Sequence, residues 1–107
     1  MSITIHNKLV RDRIPEFIEA DGNVPHTRIL SDQEYISELI AKLHEEVDEY
    51  NNTKEIEELA DILEVFMALI QGVGINWADL DLIRHNKKIN NGGFESKLFL
   101  STVERKD

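Results

Sequence analysis

Apolar positions recur along the centre of the chain with a spacing that predicts two long amphipathic helices, over residues 32–50 and 54–71. On a helical wheel of about 100° per residue, the apolar side chains of each segment fall in one continuous arc. The arc of the second segment is the wider one. The first arc contains Tyr35, Ile36, Leu39, Ile40, Leu43, Val47 and Tyr50, and the second contains Ile56, Leu59, Ala60, Ile62, Leu63, Val65, Phe66, Met67, Leu69 and Ile70.

Short polar motifs mark where these two helices begin and end. Ser31 followed by Glu34 is a capping box that begins the first helix. Asn51-Asn52-Thr53 is the expected turn, with its threonine as the N-cap of the second helix, and Gly72 and Gly74 end that helix. Because so short a connection joins antiparallel neighbours, we expect an antiparallel helical hairpin at the centre of the fold.

Shorter elements flank the hairpin, and together they predict an all-α fold with short strands near the termini as an option. Residues 11–20 are expected to form a short helix, and residues 77–89 a longer one capped by Asn76. Residues 26–30 could form a short strand. Residues 94–103 fit either a strand paired with residues 26–30 or a tail on a partner subunit.

The wide apolar arc of the second helix predicts an oligomer. One neighbouring helix cannot cover so much apolar surface, and the remaining helices are short. The missing cover comes most simply from another subunit, which would complete the hairpin to a helical bundle.

Four carboxylates occupy unusual places on these wheels. Glu46 lies inside the apolar arc of the first helix, and Glu49 lies at its edge. Glu58 lies inside the arc of the second helix, and Asp61 lies just outside its border. Since burying a carboxylate without a partner is costly, two such pairs need a common explanation.

The hairpin register supplies that explanation. Positions 46 and 61 have the same midpoint in the sequence, about 53.5, as positions 49 and 58, and that midpoint falls at the predicted turn. We therefore expect the four carboxylates to converge, with no Arg or Lys among them. Like charges so close must be neutralised by protons or by a cation. Oxygen ligands without His or Cys favour Mg²⁺, or Mn²⁺.

The acidic residues have other interpretations. They could be surface acids of an acidic protein. An EF-hand would need a D-x-D-x-D-G loop, which the sequence lacks. A di-iron bundle would need Glu-x-x-His pairs, and neither His44 nor His85 has that spacing to the inward glutamates.

Basic residues are few and partly clustered. Lys8, Arg11 and Arg13 lie together near the start, where they either bind phosphate or form ion pairs with the acidic helices. Lys88 lies at the end of the last predicted helix, where a cation suits the helix dipole; it is also a candidate triphosphate contact.

Composition narrows the class of protein. The 107 residues suffice for one domain, predicted to span 1–107. The 21 acidic against 12 basic residues give a net charge of −9, which disfavours nucleic acid as a partner. There is no Cys, no long apolar run, and no signal peptide in the opening MSITIHNK. We therefore expect a soluble, cytoplasmic domain without a membrane partner.

The acidic runs carry a family resemblance. KLHEEVDEY followed by EELADILEV resembles the EExxE…ExxD signature of the all-α nucleoside triphosphate pyrophosphohydrolases, the superfamily of MazG and phosphoribosyl-ATP pyrophosphohydrolase. The blocks NKLVRDRIPEFIE, TRILSDQEY and GGFESKLFL are similar to a small single-domain branch of that superfamily. The resemblance thus extends over nearly the whole chain.

The resemblance implies an activity, a cofactor and a site. The superfamily cleaves a nucleoside triphosphate between the α- and β-phosphates, giving a nucleoside monophosphate and pyrophosphate, which suggests clearance of unwanted nucleotides. Glu46, Glu49, Glu58 and Asp61 would carry Mg²⁺. Glu45, on the polar side of the wheel, matches the extra glutamate of the motif; with Glu46 it is the catalytic candidate, unless it is a solvated acid. Dimers and tetramers of the superfamily imply a homodimer or homotetramer.

Two departures and two competing interpretations accompany this resemblance. Only eight residues separate Glu49 from Glu58, a short interval for the superfamily, and Asn91 stands where related sequences often have Arg before GGF. The competing interpretations are a non-catalytic helical interaction module and a decayed member that binds nucleotide as a sensor. The retained acidic quartet argues against decay.

Overall fold

The computed structural model describes residues 2–107 and contains four helices in them: α1 (Ile14–Ala20), α2 (Asp32–Thr53), α3 (Ile56–Val73) and α4 (Trp77–Asn91). No strand occurs among these described residues. The predicted all-α class is therefore confirmed. The segments 26–30 and 94–103, for which a strand was an option, form neither strand nor helix.

The start of α2 has the predicted capping box. The Ser31 hydroxyl accepts a hydrogen bond from the Glu34 backbone N–H at 3.2 Å, and the Glu34 carboxylate accepts one from the Ser31 N–H at 3.1 Å. The Arg28 guanidinium also donates to both Glu34 oxygens, at 3.2 and 2.8 Å. Chiefly through Arg28, and then through Ser31, these bonds lower the pKa of Glu34 to about 2.

The turn between α2 and α3 lies further along the chain than predicted. The N–H of Lys54 still bonds to the carbonyl of Tyr50 at 2.8 Å, so residues 51–53 remain in the last turn of α2. Lys54 then adopts a left-handed conformation with φ of 58°, and Glu55 precedes α3 as its N-cap. The assignment of Thr53 as that N-cap was wrong; its hydroxyl accepts from the Glu55 N–H at 3.2 Å and so closes the reversal.

Close packing of α2 and α3 forms the core of the first part of the chain. Gly72, in the last turn of α3, lies against Ile36, in the first turns of α2, which makes the two helices antiparallel as predicted. A Cβ on Gly72 would lie 2.6 Å from the Ile36 Cδ1, so only glycine permits this approach without a shift. Leu39 and Ile70 are the most buried of the described residues, at 2% and 5% exposure.

Apolar side chains of the hairpin remain in contact with solvent. Five of them are between 40% and 49% exposed: Ile40 and Val47 on α2, and Leu59, Leu63 and Met67 on α3. Leu59, Leu63 and Met67 recur every four residues, so they follow one another along one side of α3. We call these five residues the apolar stripe. That a second subunit covers them stays a prediction.

The chain divides into two compact units, of which the first ends at Ile75 and the second runs from Asn76 to Asp107. In the second unit, the side chain of Asn76 caps α4 by accepting from the Asp79 N–H at 2.8 Å, as predicted. The helix ends at Asn91, where Gly92 follows with φ of 85°. Within residues 2–107, no helix has the length and apolar character needed to cross a bilayer.

Candidate metal centre

Three of the four predicted metal ligands lie together on the hairpin. Glu46 projects from α2, and Glu58 and Asp61 project from α3. Each offers a carboxylate oxygen, and these oxygens all lie within 4.8 Å of one another. All three residues are half-buried. Glu58 and Asp61 share one face of α3 because they are three residues apart. We call Glu46, Glu58 and Asp61 the carboxylate triad.

Glu49, the fourth predicted ligand, lies outside this triad and is exposed. The helical wheel put it at the edge of the apolar arc, whereas it put Glu46 inside. Accordingly, the Glu46 side chain is only 12% exposed. The charge of Glu49 still reaches the triad, because it contributes to the raised pKa of Glu58.

Basic side chains contact the triad, contrary to the expectation that no Arg or Lys lies among these carboxylates. The Arg11 Nη2 donates to the Asp61 Oδ1 at 2.7 Å. The Lys42 Nζ lies 3.5 Å from the Glu46 Oε1. Arg11 comes from the segment before α1, whereas the prediction considered only the two long helices. Lys42 could have been found, because it precedes Glu46 by four residues on the same helix.

Glu58 is the member of the triad that has no basic partner among residues 2–107. Loss of hydration raises its pKa, and the neighbouring charges of Asp61, Glu49, Glu46 and Glu55 raise it further. Like charges and partial burial both oppose its ionisation. An added cation would therefore relieve the electrostatic repulsion at Glu58.

Glu45 is next to the triad and is held by two lysines. Its carboxylate lies 3.3 Å from the Lys8 Nζ and 3.4 Å from the Lys42 Nζ. Burial by itself would raise the pKa of Glu45, but Lys42 and Lys8 outweigh it, and the pKa is lowered. Glu45 is thus an ion-paired carboxylate whose side chain is 37% exposed, and its role as a catalytic group stays a prediction.

Only two of the four candidate phosphate contacts form ion pairs with the helices of the hairpin. Lys8 and Arg11 reach the acidic helices, as the ion-pair alternative predicted. Arg13 instead pairs with Glu16 at 3.0 Å, and its guanidinium lies 5.1 Å from the centre of the Phe17 ring. Lys88 belongs to the second unit.

Within that second unit, the Lys88 Nζ lies 3.0 Å from the Glu95 carboxylate. The backbone N–H of Glu95 itself, then this bond to Lys88 and then the backbone of Phe94, lower the pKa of Glu95. The GGFE block is therefore tied to the end of α4 by an ion pair. Lys88 as a triphosphate contact stays a prediction.

The carboxylate triad fits a small divalent cation by its donor chemistry. Mg²⁺ prefers oxygen ligands at 2.0–2.1 Å and keeps several water molecules, so a few carboxylates suffice to hold it. Opposed ligands of such an ion are about 4 Å apart, close to the spread of the triad. Arg11 and Lys42 contact two of the three carboxylates, so a metal ion has to compete with them.

Comparison with known proteins gives one partial similarity. A stretch of 42 residues is 62% identical to part of an uncharacterised protein of Mycolicibacterium smegmatis. The stretch makes up 39% of this chain and 43% of that protein, so less than half of that relative is matched. No family model matches the chain, and no solved structure matches it.

Proposed function

We propose that this chain is a MazG-like, Mg²⁺-dependent pyrophosphohydrolase domain that hydrolyses a nucleoside triphosphate to a nucleoside monophosphate and pyrophosphate. The observation that carries the proposal is the carboxylate triad. Its ligand atoms lie within 4.8 Å of one another on two packed helices. The sequence blocks that resemble the pyrophosphohydrolase superfamily include these same residues.

In this proposal Glu46, Glu58 and Asp61 hold Mg²⁺. Glu49 joins them when its exposed side chain changes its rotamer. A bound Mg²⁺ would supply Lewis-acid chemistry, which would make the attacking water more acidic and polarise the phosphoryl group. Glu45 lies beside the triad without belonging to it, so it is the carboxylate proposed to accept a proton from the attacking water. Lys42, the less exposed of its two lysine partners, keeps that carboxylate ionised and oriented.

Substrate binding in this proposal depends on the few cations of an acidic chain. A triphosphate is repelled by a net charge of −9 unless local positive charge offsets it. Lys8 and Arg11 lie beside the metal candidate and are the first choice for phosphate contacts. Arg13 and Lys88, which pair elsewhere, are proposed as outer contacts.

The assembly proposed is a homodimer or homotetramer in the cytoplasm. The apolar stripe, Ile40, Val47, Leu59, Leu63 and Met67, is half exposed on the hairpin. Apolar surface gains about 25 cal/mol per Å² when it is removed from water, so covering the stripe favours association. The partner is proposed to be a second copy of this chain.

The experiment that tests this function is hydrolysis of a panel of ribo- and deoxyribonucleoside triphosphates with Mg²⁺, followed by identification of the products. The proposal expects a nucleoside monophosphate and pyrophosphate, and no turnover in EDTA. Release of orthophosphate and a nucleoside diphosphate would contradict the proposed cleavage site. Absence of turnover with every nucleotide would contradict the enzymatic function.

A non-catalytic helical interaction module is the second candidate, and the ion pairs at the triad favour it. Arg11 and Lys42 already offset two of the three carboxylates, so the cluster could be a structural network beneath a partner-binding surface. A nucleotide sensor would differ by binding nucleotide with Mg²⁺ and leaving it intact. Calorimetry with Mg²⁺ and nucleotide separates these cases, because the module binds neither.

A further inference from the structure

The segment before α1 is attached to the hairpin by two ion pairs on its polar residues. Lys8 contacts Glu45 at 3.3 Å, and Arg11 contacts Asp61 at 2.7 Å. Residues 2–10 form no helix or strand. Between the two cations, Leu9 and Val10 are half-buried, so this segment also has an apolar anchor besides the ion pairs.

These two ion pairs are easy to break. The Arg11 side chain is 58% exposed, and exposed ion pairs contribute little to stability because water solvates the separated charges. Lys42 is different, since its side chain is only 17% exposed and contacts both Glu45 and Glu46. Lys42 is thus a fixed counter-ion on α2 itself. Lys8 and Arg11 have movable side chains on a backbone that the apolar anchor holds near the site.

We propose that Arg11, with Lys8 beside it, is an exchangeable counter-ion: it neutralises Asp61 when no metal is bound, and it moves to a phosphate oxygen when metal takes Asp61. This inference rests on the proposed function and adds an order of events to it. The anchor at Leu9 and Val10 keeps the released guanidinium within reach of the site. Metal binding thereby frees the Arg11 guanidinium to contact phosphate. Before the metal binds, Asp61 holds this guanidinium, and phosphate does not bind to it.

The first test measures metal and phosphate affinity separately, on Arg11→Gln and on Arg84→Gln as a matched control. Arg84 has the same 58% exposure and pairs with Asp81 at the same 2.7 Å, but in the second unit. Arg11→Gln removes the competitor of the metal, so Mn²⁺ should bind about two- to fivefold more tightly, which is the range of an exposed ion pair. Arg84→Gln changes net charge equally and should leave Mn²⁺ affinity unchanged.

The second probe is pyrophosphate in saturating Mn²⁺. Arg11→Gln should change the affinity for pyrophosphate in the direction opposite to the change in Mn²⁺ affinity. Arg11→Gln removes a phosphate contact, so pyrophosphate should bind several-fold more weakly, while Arg84→Gln should bind it like the wild type. If Arg11→Gln leaves Mn²⁺ affinity unchanged or weakens it, the exchange is refuted. If it tightens Mn²⁺ without weakening pyrophosphate, the proposed phosphate contact is refuted.

A direct readout is the side-chain NMR signal of the Arg11 guanidinium in the diamagnetic Mg²⁺ protein. Rotation of the guanidinium should become fast when Mg²⁺ is added and slow again when pyrophosphate follows, with the Arg84 signal constant throughout. If the wild type hydrolyses the nucleotide while its Arg11 signal does not change on addition of Mg²⁺, the exchange is refuted and the proposed function stands. A wild type that binds no Mn²⁺ would refute both.

Discussion

The guanidinium of Arg11 lies 2.7 Å from the carboxylate of Asp61, fifty residues further along the chain. This ion pair brings the segment before α1 to the same carboxylates that two helices of the hairpin assemble. Acidic residues from α2 and α3, and a cation from outside both helices, thus share one small region. Substitutions in and around that region separate what the carboxylates contribute from what the remainder of the fold contributes.

Excess Mg²⁺ should raise the melting temperature relative to EDTA. A ligand that binds only the native state adds about 2.7 kcal/mol at a concentration one hundred times its Kd. For a domain of this size that corresponds to a shift of roughly 10–20 °C. Thermal unfolding of the wild type and of a Glu46→Gln/Glu58→Gln double variant measures it. An equal shift in the double variant would place the metal elsewhere.

Without metal, Glu58→Gln should stabilise the fold at neutral pH. The pKa of Glu58 is raised in the folded state, mainly by burial and then by Asp61. The ionised form is therefore less favourable folded than unfolded, and the wild type loses stability as pH rises above the ordinary range of a glutamate. Glutamine does not titrate, so the gain should grow as pH rises from about 4.5 and level off above the raised pKa of Glu58.

The matched control for that prediction is Glu57→Gln, the exposed neighbour in the first turn of α3. Chemical denaturation of both variants in EDTA at several pH values provides the comparison. Glu57→Gln should show no comparable gain. A Glu58→Gln protein less stable than the wild type at pH 7 would mean that this carboxylate has a favourable partner, which contradicts its raised pKa.

Acid should remove the contribution of the Arg28–Glu34 contact. The pKa of Glu34 is lowered to about 2, so its contribution is fully present above pH 4.5 and is lost as pH falls toward 2. Arg28→Gln should therefore melt below the wild type at pH 7, and the difference should shrink toward pH 2. Arg105→Gln, at an exposed position near the end of the chain, is the control. A difference independent of pH would assign the effect to packing of Arg28.

The wild type should be a dimer or a larger oligomer by light scattering at micromolar concentration. Leu63→Glu places a charge within the apolar stripe, so it should dissociate the assembly or weaken it strongly. Glu64→Gln, the exposed adjacent position on α3, should keep the assembly. A monomeric wild type would contradict the prediction that a second copy covers the stripe.

Local signals in the sequence predicted much of this fold. The hydrogen bonds of the Ser31–Glu34 capping box involve residues three apart, so spacing alone sufficed. Helical periodicity also placed Glu46 within an apolar arc, where its side chain is now seen to be largely shielded. Both features depend on contacts within one helix or between two adjacent ones.

Features that depend on distant or atypical contacts were not predictable in this way. Arg11 was predicted to begin a helix that in fact begins at Ile14, and no local pattern in the sequence indicated Asp61 as its partner. Lys54 takes a left-handed conformation that glycine or asparagine adopts more readily. The turn was therefore predicted at Asn51 and Asn52, which precede its actual position at Lys54 and Glu55.

The measurement that tests the central claim most directly compares Glu46→Gln with Asp48→Asn in Mg²⁺-dependent hydrolysis of a nucleoside triphosphate. Both variants remove one negative charge from α2, but Glu46 belongs to the carboxylate triad whereas Asp48 is exposed. Misplacing the reacting groups by a small distance costs on the order of 100-fold in rate. We predict that Glu46→Gln loses at least that much production of monophosphate and pyrophosphate, while Asp48→Asn stays close to the wild type. Equal losses in the two variants, with both still folded, would contradict the assignment of the metal centre.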